Sequence, residues 1–409
     1  MERISDQKKL KPWMGIVLFV SSMLFLLLVG SIVQVKLGLI GVIITEICFL
    51  LIALGFCKIR KVKISEVLPV KKISVTDILG VLAMSIGAYF LSSALGFISL
   101  LLMPGQAALS NELNAFLGDT SNLALLFLTT CISAPICEEV FMRGTFLSCF
   151  RELKKDWIVC LIVGIAFGLF HLYPFRYAGM TCLGAMLAYI MVKKNNILLP
   201  ILMHFLNNGI AFSQSAKAGN TGTTPSLESI LAFNDIKMLI GSNLISMALA
   251  CVSITLGVII LNKDARKSRT FVVAGVATAF LFISGAAFSV VSAKAGMTDG
   301  MSENMLLNWN YTYTVGDEFY ECKNLAECSI GIEEDRPYEF DVSAYATDTD
   351  VTFNIYNEAK EIVYTNTSNN MLSISENLNL EPGTYTIEFK STDDIIGKPF
   401  QYKVLIYKS

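Results

Sequence analysis

Charge is scarce in this chain. Of its 409 residues 16% are Asp, Glu, Lys or Arg, while 54% are hydrophobic and the mean hydropathy is +0.57. An ordinary soluble domain, about a quarter of whose residues are charged, is excluded by that profile, and a membrane protein is implied. Histidine is scarcer still: His171 and His204 are the only two. No HExxH pattern occurs and no serine stands beside an evident base, so neither familiar hydrolase signature is present. Nor does a small-x-small cleavage site end the first apolar run, which continues past Leu28 and therefore reads as a retained anchor.

The charge that is present is unevenly divided. Residues 1–294 carry 25 Lys+Arg and 14 Asp+Glu, whereas residues 295–409 carry 7 and 20. The chain thus reads as a transmembrane helical domain, 1–294, followed by an acidic, polar domain, 295–409. Apolar runs near 13–35, 37–57, 77–103, 121–149, 157–175, 177–192, 197–215, 236–261 and 270–292 predict about nine spans, each of the length a hydrocarbon core of about 30 Å requires. The expected fold is an α-helical polytopic membrane bundle with a C-terminal all-β sandwich.

Orientation follows from where lysine and arginine collect. Basic clusters at Lys8, Lys9 and Lys11, at 58–63 with Lys71 and Lys72, at Arg151, Lys154 and Lys155, at Lys193 and Lys194, and at 263–269 fall after every second span. The alternate loops, such as 104–120, are almost devoid of them. The N-terminus is therefore expected in the cytoplasm and the C-terminal domain outside, in a bacterial plasma membrane.

From about 305 the period changes. The stretches 338–346, 350–357, 360–366, 371–380, 383–391 and 401–409 alternate apolar and polar residues, with turn formers such as "EPG" (381–383) between them, as antiparallel strands do. The hairpin "LEPGTYTIEF" resembles the pre-peptidase C-terminal type of bacterial β-sandwich. Of ten cysteines, eight lie in the apolar part, where they read as small buried hydrophobes. The other two, Cys322 and Cys328, are candidates for a short loop-closing disulfide in an oxidising compartment. Asn310 and Asn366 match the short Asn-x-Ser/Thr pattern.

Polar residues inside the apolar spans need a partner or a task, because one charge at a helix centre costs roughly 2.5–3.5 kcal/mol. "APICEEVFMRGTF" (134–146) carries Glu138, Glu139 and Arg143. On a helix Glu139 and Arg143 are i and i+4, with Glu138 turned about 100° away. "FGLFH" (167–171) and "HFLNN" (204–208) put Phe167 with His171, and His204 with Asn208, on shared helix faces. Singly, Glu139 with Arg143 reads equally as a self-neutralising pair, and each histidine as an interhelical hydrogen-bonding residue. Together they suggest one polar site. A carboxylate in a low-dielectric pocket suits the activation of water, and imidazoles with a carboxamide suit an attacked carbonyl, so amide hydrolysis is the chemistry indicated.

The same three motifs, in order on successive helices, resemble those of the CPBP intramembrane proteases, the group that contains the CAAX prenyl-protein endopeptidases. The resemblance spans roughly 120–215, the protease-like core. It implies that Glu138 activates the hydrolytic water, that Glu139 supports it and that Arg143 holds both carboxylates in register. His171 and His204 would position the water and stabilise developing charge, and Asn208 would complete the oxyanion contacts. No metal is the preferred reading; zinc held by Glu138, His171 and His204 is the alternative.

Three residues or loops stay open on sequence grounds. Glu46 is a lone carboxylate in the second span, readable as a separate proton or substrate path or as an interhelically bonded residue. The loop "YPFRY" (173–177) reads as a gate or as ordinary interfacial aromatics. His171 would lie nearer the outside than Glu138 if its span began at Trp157. Expected partners are membrane lipid, a peptide or protein substrate and an extracytoplasmic partner for the C-terminal domain, with no nucleic acid. The competing function is a non-catalytic membrane-tethered binding or immunity factor using the outer β domain. A transporter finds no support in inverted repeats or paired broken spans.

Overall fold

The computed structural model describes residues 10–106, 109–110, 113, 122–153, 155–221, 236–262, 270–299, 305–314, 324–391 and 399–408. They form two compact units, Met1–Asn220 with Ser242–Ala286, and Thr221–Gly241 with Ala287–Ser409.

The helices run α1 (Pro12–Phe25), a π-helical turn (Leu26–Gly30), α2 (Ser31–Ile59), the short α3 (Ile64–Val67) and α4 (Val75–Leu102). Next come α5 (Leu123–Phe146), α6 (Asp156–Phe170), α7 (Tyr177–Lys194), α8 (Leu198–Thr221), α9 (Ile236–Leu261) and α10 (Thr270–Asp299). Each of the nine expected apolar runs contains helix, although the run 157–175 leaves its helix at Phe170. Six candidate membrane spans meet length and composition together among the described residues, and the chain is an integral membrane protein. The first candidate, Pro12–Ile59, is 48 residues long and contains two expected runs. Gly38 divides it with a positive φ of 56°. An L side chain is strained in that conformation, and glycine is not. Beyond the break, a Cβ on Gly41 would lie 2.8 Å from Gln34 Cα, so only glycine lets the two arms approach so closely.

Two expected spans are not among the six. Helix α8 carries His204, Asn207 and Asn208, and these polar residues lower its hydropathy. Helix α6 has only 15 residues. At the usual rise this is about 22 Å of helix against a hydrocarbon core of about 30 Å. The helix starts at Asp156 and stops at Phe170, with His171 as its C-cap.

The end of α7 meets the starts of α4 and α6. Ser74 caps α4, accepting from the Asp77 amide while the Asp77 carboxylate accepts from the Ser74 amide. Helix α7 ends at Asn195 in the left-handed conformation, with Lys193 and Lys194 in its last turn, where cations complement the helix dipole. Lys194 reaches Asp77 (2.7 Å) and Lys193 reaches Asp156 (2.9 Å), joining the end of α7 to the starts of α4 and α6. Asn196 donates to the Lys71 carbonyl and accepts from its amide.

In the β-rich unit the strands are β1 (Met305–Thr314), β2 (Asn324–Ile332), β3 (Arg336–Tyr356), β4 (Ile362–Leu380), β5 (Gly383–Lys390) and β6 (Pro399–Lys408). All pairings are antiparallel, in the order β1-β6-β3-β5-β2, with β4 also on β3. The stretches 338–346 and 350–357 are one strand, and 360–366 and 371–380 lie along another. A register shift between Tyr345 and Asp350 stands where the sequence suggested a turn. The first half of β3 pairs with β6 and the second half with β5, so the long β3–β4 hairpin links two half-sheets. Their inner faces meet through Phe389, whose ring lies 5.7 Å from Phe400 and 5.3 Å from Tyr402. The result is an almost closed barrel or sandwich, its core made where the two inner faces interdigitate. Cys328, on β2 opposite Ile387, carries a free thiol; Cys322 lies outside the described residues.

Candidate active site

Proline shapes the helix that carries the paired carboxylates. Pro135 has no amide hydrogen and crowds the carbonyl four residues before it, and α5 is π-helical over Leu128–Ser133 immediately upstream. A regular stretch, Ala134–Glu139, follows, and the helix widens again over Val140–Phe146. Such π-helical stretches recur at functional sites because they re-aim side chains. Here they bracket Glu138 and Glu139.

The two glutamates face different surroundings. Glu139 and Arg143 are both 0% exposed, and Arg143 Nη1 donates to Glu139 Oε1 at 2.9 Å. Arg143 Nη2 donates to the Gly184 carbonyl on α7 (3.0 Å), and its guanidinium lies 4.4 Å over the Phe167 ring. Glu139 Oε1 also accepts from His204 Nδ1 at 2.8 Å. Four helices are thus tied together by one buried ion pair. Among the described residues, Glu139 Oε2 and Arg143 Nε have no hydrogen-bond partner.

Close backbone approach makes that knot possible. A Cβ on Gly184 would lie 2.8 Å from Phe167 Cβ and 3.0 Å from Gly164 Cα, and one on Gly164 would lie 2.6 Å from the Thr181 carbonyl. Glycine on both helices lets α6 and α7 pack with little between them, which brings the Gly184 carbonyl and the Phe167 ring to Arg143. Nothing in the sequence motifs singled out Gly184.

Glu138, half-buried, instead lines a cavity of about 640 Å³ together with Phe141, Phe167 and His171. Helix α2 lines the same cavity on both sides of its Gly38 break, through Gln34, Val42, Glu46 and Phe49. Phe49, Phe141 and Phe170 stack against one another at 5.4–5.7 Å between ring centres and make part of the lining apolar. Tyr173 of the "YPFRY" loop also lines it.

His171 Nδ1 is 2.9 Å from the Phe167 carbonyl oxygen. A carbonyl only accepts, so Nδ1 carries the hydrogen and Nε2 of the neutral ring is an acceptor. His204 Nδ1, facing a carboxylate, is fixed in the same tautomer. The expectation that these imidazoles donate to an oxyanion therefore requires their protonated forms. After His171 comes Leu172 with a positive φ of 58°. This left-handed conformation costs a non-glycine residue roughly 1–2 kcal/mol. Leu172 also lines the cavity, so the strained backbone is at the site itself.

Asn208 is half-buried and donates through Nδ2 to the Thr130 carbonyl, within the first π-helical stretch (2.8 Å). Of the six predicted site residues, then, Glu138 and His171 line the cavity, and Glu139, Arg143 and His204 form the buried knot. Asn208 binds the helix on which the carboxylates sit. No group of three or more His, Cys, Asp and Glu residues suited to holding a metal occurs among the described residues.

Residues 120–210 match the protein-family model described as type II CAAX prenyl endopeptidase Rce1-like. This segment resembles the Rce1-like members of the CPBP family. The match contains Glu138, Glu139, Arg143, His171, His204 and Asn208. The Rce1-like segment leaves α1, α2 and the β-rich unit outside it. No curated protein and no solved structure matches the chain, and the likeness of the tail to the pre-peptidase C-terminal type finds no counterpart.

Proposed function

We propose that the protein is an intramembrane endopeptidase that hydrolyses a peptide bond of a membrane-associated protein or peptide with water activated by Glu138. The observation that carries this reading is the division of labour between adjacent carboxylates: Glu139 is locked in an ion pair, while Glu138 opens onto a cavity shared with His171.

In this mechanism the Glu138 carboxylate takes one proton from the water as its oxygen attacks the carbonyl carbon. His171 Nε2 accepts a hydrogen bond from the other O–H and so orients the nucleophile. The Arg143–Glu139–His204 knot fixes the helices, and the second Nδ2 hydrogen of Asn208 serves the developing oxyanion. No step uses a metal.

The experiment is substrate-independent. Membranes holding the wild type or Glu138→Gln are compared by mass spectrometry of new protein N-termini. Termini that arise only with the wild type support the assignment, and identical sets in both would refute it.

By the same reading the converging basic loops face the cytoplasm of a bacterial plasma membrane and the β-rich unit lies outside. There it recruits a partner and performs no chemistry. Labelling of single introduced cysteines in intact cells tests this, since a cytoplasmic tail would overturn both statements.

A further inference from the structure

Hydrolysis of an amide needs two proton transfers, and the six motif residues account for one. When the C–N bond breaks, the departing nitrogen must gain a proton, because an amide anion does not leave. His171 is poorly suited to give it: Nδ1–H is committed to the Phe167 carbonyl, and Nε2 of the neutral ring has no hydrogen. The other titratable side chains lining the cavity are Glu138, Tyr173 and Glu46.

Glu46 stands out by its surroundings. It comes from α2, outside the Rce1-like segment, and lines the same cavity as Glu138. It is 8% exposed, and among the described residues its Oε2 has no hydrogen-bond partner. Along α2 the cavity-lining residues on either side of it, Val42 and Phe49, are apolar, and the polar Ser31 and Gln34 lie further towards the helix start. An ionised carboxylate buried without a donor is costly, whereas a neutral carboxyl keeps one hydrogen to offer. A purely structural role would leave this oxygen bonded to another helix, and it is not.

Resting on the peptidase reading above, we propose that Glu46 is the general acid that protonates the leaving nitrogen. Water loses one proton to the Glu138 carboxylate, and its oxygen forms the new bond to the carbonyl carbon. The C–N bond then breaks as the nitrogen takes the proton of the Glu46 carboxyl. The products are a carboxylic acid and an amine. Glu138 is left protonated and Glu46 ionised, and passage of one proton from Glu138 to Glu46 within their shared cavity restores both.

The test uses the full-length protein in detergent with two probes of the same N-acylated, membrane-soluble peptide: a fluorogenic peptide amide and a 4-nitrophenyl ester, whose phenolate leaves without a proton. Glu46→Gln is expected to lower kcat on the amide about 100-fold while KM and ester hydrolysis change only a few-fold. Glu46→Asp should recover part of the amide rate, and Tyr173→Phe should not reproduce the selective loss. Equal losses on amide and ester, or no loss on the amide, would overturn the proposal. Undiminished cleavage by Glu138→Gln would instead overturn the peptidase reading. A readout independent of turnover is the infrared carbonyl stretch of a protonated carboxyl, expected in the wild type and missing from the polar Glu46→Gln and from a second, apolar variant, Glu46→Leu. An unchanged spectrum would refute the neutral Glu46 on which the idea depends.

Discussion

Two polar regions lie side by side in the helical unit, and they differ in what their charges touch. In the knot, Glu139 and Arg143 are fully enclosed and bonded to each other, to His204 and to the Gly184 carbonyl. In the cavity, Glu138 and Glu46 line open space beside His171 and an apolar wall. A charge in a membrane protein either finds a partner or faces a cavity, and this bundle does both within one turn of α5. The lesson is that adjacent acidic residues can have opposite surroundings: Glu139 is enclosed and bonded to neighbouring helices, and Glu138 opens onto the cavity.

The largest effect expected from breaking this contrast is on turnover. Glu138→Gln should lower peptide-bond cleavage by about 100-fold or more while leaving thermal unfolding in detergent unchanged. Glu139→Gln should do the reverse in kind, because it leaves Arg143 charged without its counter-ion. A destabilisation of about 3–5 kcal/mol is expected, read as a lower unfolding temperature, with activity lost as the fold is lost. If Glu139→Gln were as stable as the wild type, the knot would not be the structural element described above.

Gly184→Val sharpens the comparison at its seam. Its side chain would press on Phe167 and Gly164 and push α6 from α7. Overpacking of this kind costs about 1–3 kcal/mol. The stability loss should be accompanied by a lower kcat, since Phe167 also carries His171 through its carbonyl. A variant with normal kcat would show that the cavity tolerates movement of the knot.

Chelation addresses the cavity alone. Exhaustive treatment with a zinc chelator should leave activity unchanged, and elemental analysis should find no stoichiometric zinc. Activity lost to the chelator and restored by one zinc per chain would reassign His171 and His204 as ligands.

The smallest effect concerns the β-rich unit. Burial pushes the Cys328 thiol up to about 11 from its usual 9.0. The neutral thiol is favoured in the folded strand, so this contribution to stability is complete below pH 9 and is lost as the pH climbs towards 11. Alkylation, which needs the thiolate, should accordingly be slow at pH 8 in the native protein and accelerate above pH 10. Reaction only after reduction would instead establish the Cys322–Cys328 bridge.

Much of the site was legible because helices repeat. Spacing alone paired Glu139 with Arg143 and turned Glu138 away from them, and both are seen. The order of the three motifs led to the endopeptidase family that residues 120–210 match. The β-rich unit announced itself by its period of two, although the turn expected near 347–349 is a register shift within β3. The short length of α6 was misjudged because "HLYPF" continues the apolar run in composition while Leu172 ends the helix in conformation.

By itself, then, the sequence determined the solvent of each part of the chain, the helical and extended segments, and which residues share a face, because these follow from composition and from fixed backbone periods. Tertiary packing alone decided that the Gly184 carbonyl meets Arg143, that His204 meets Glu139, and that Glu46 shares a cavity with Glu138 from a helix far earlier in the chain. Those contacts join different helices, and no repeat along one helix encodes its neighbour. They depend on where glycines let backbones touch and where a single residue, Gly38, bends the wall.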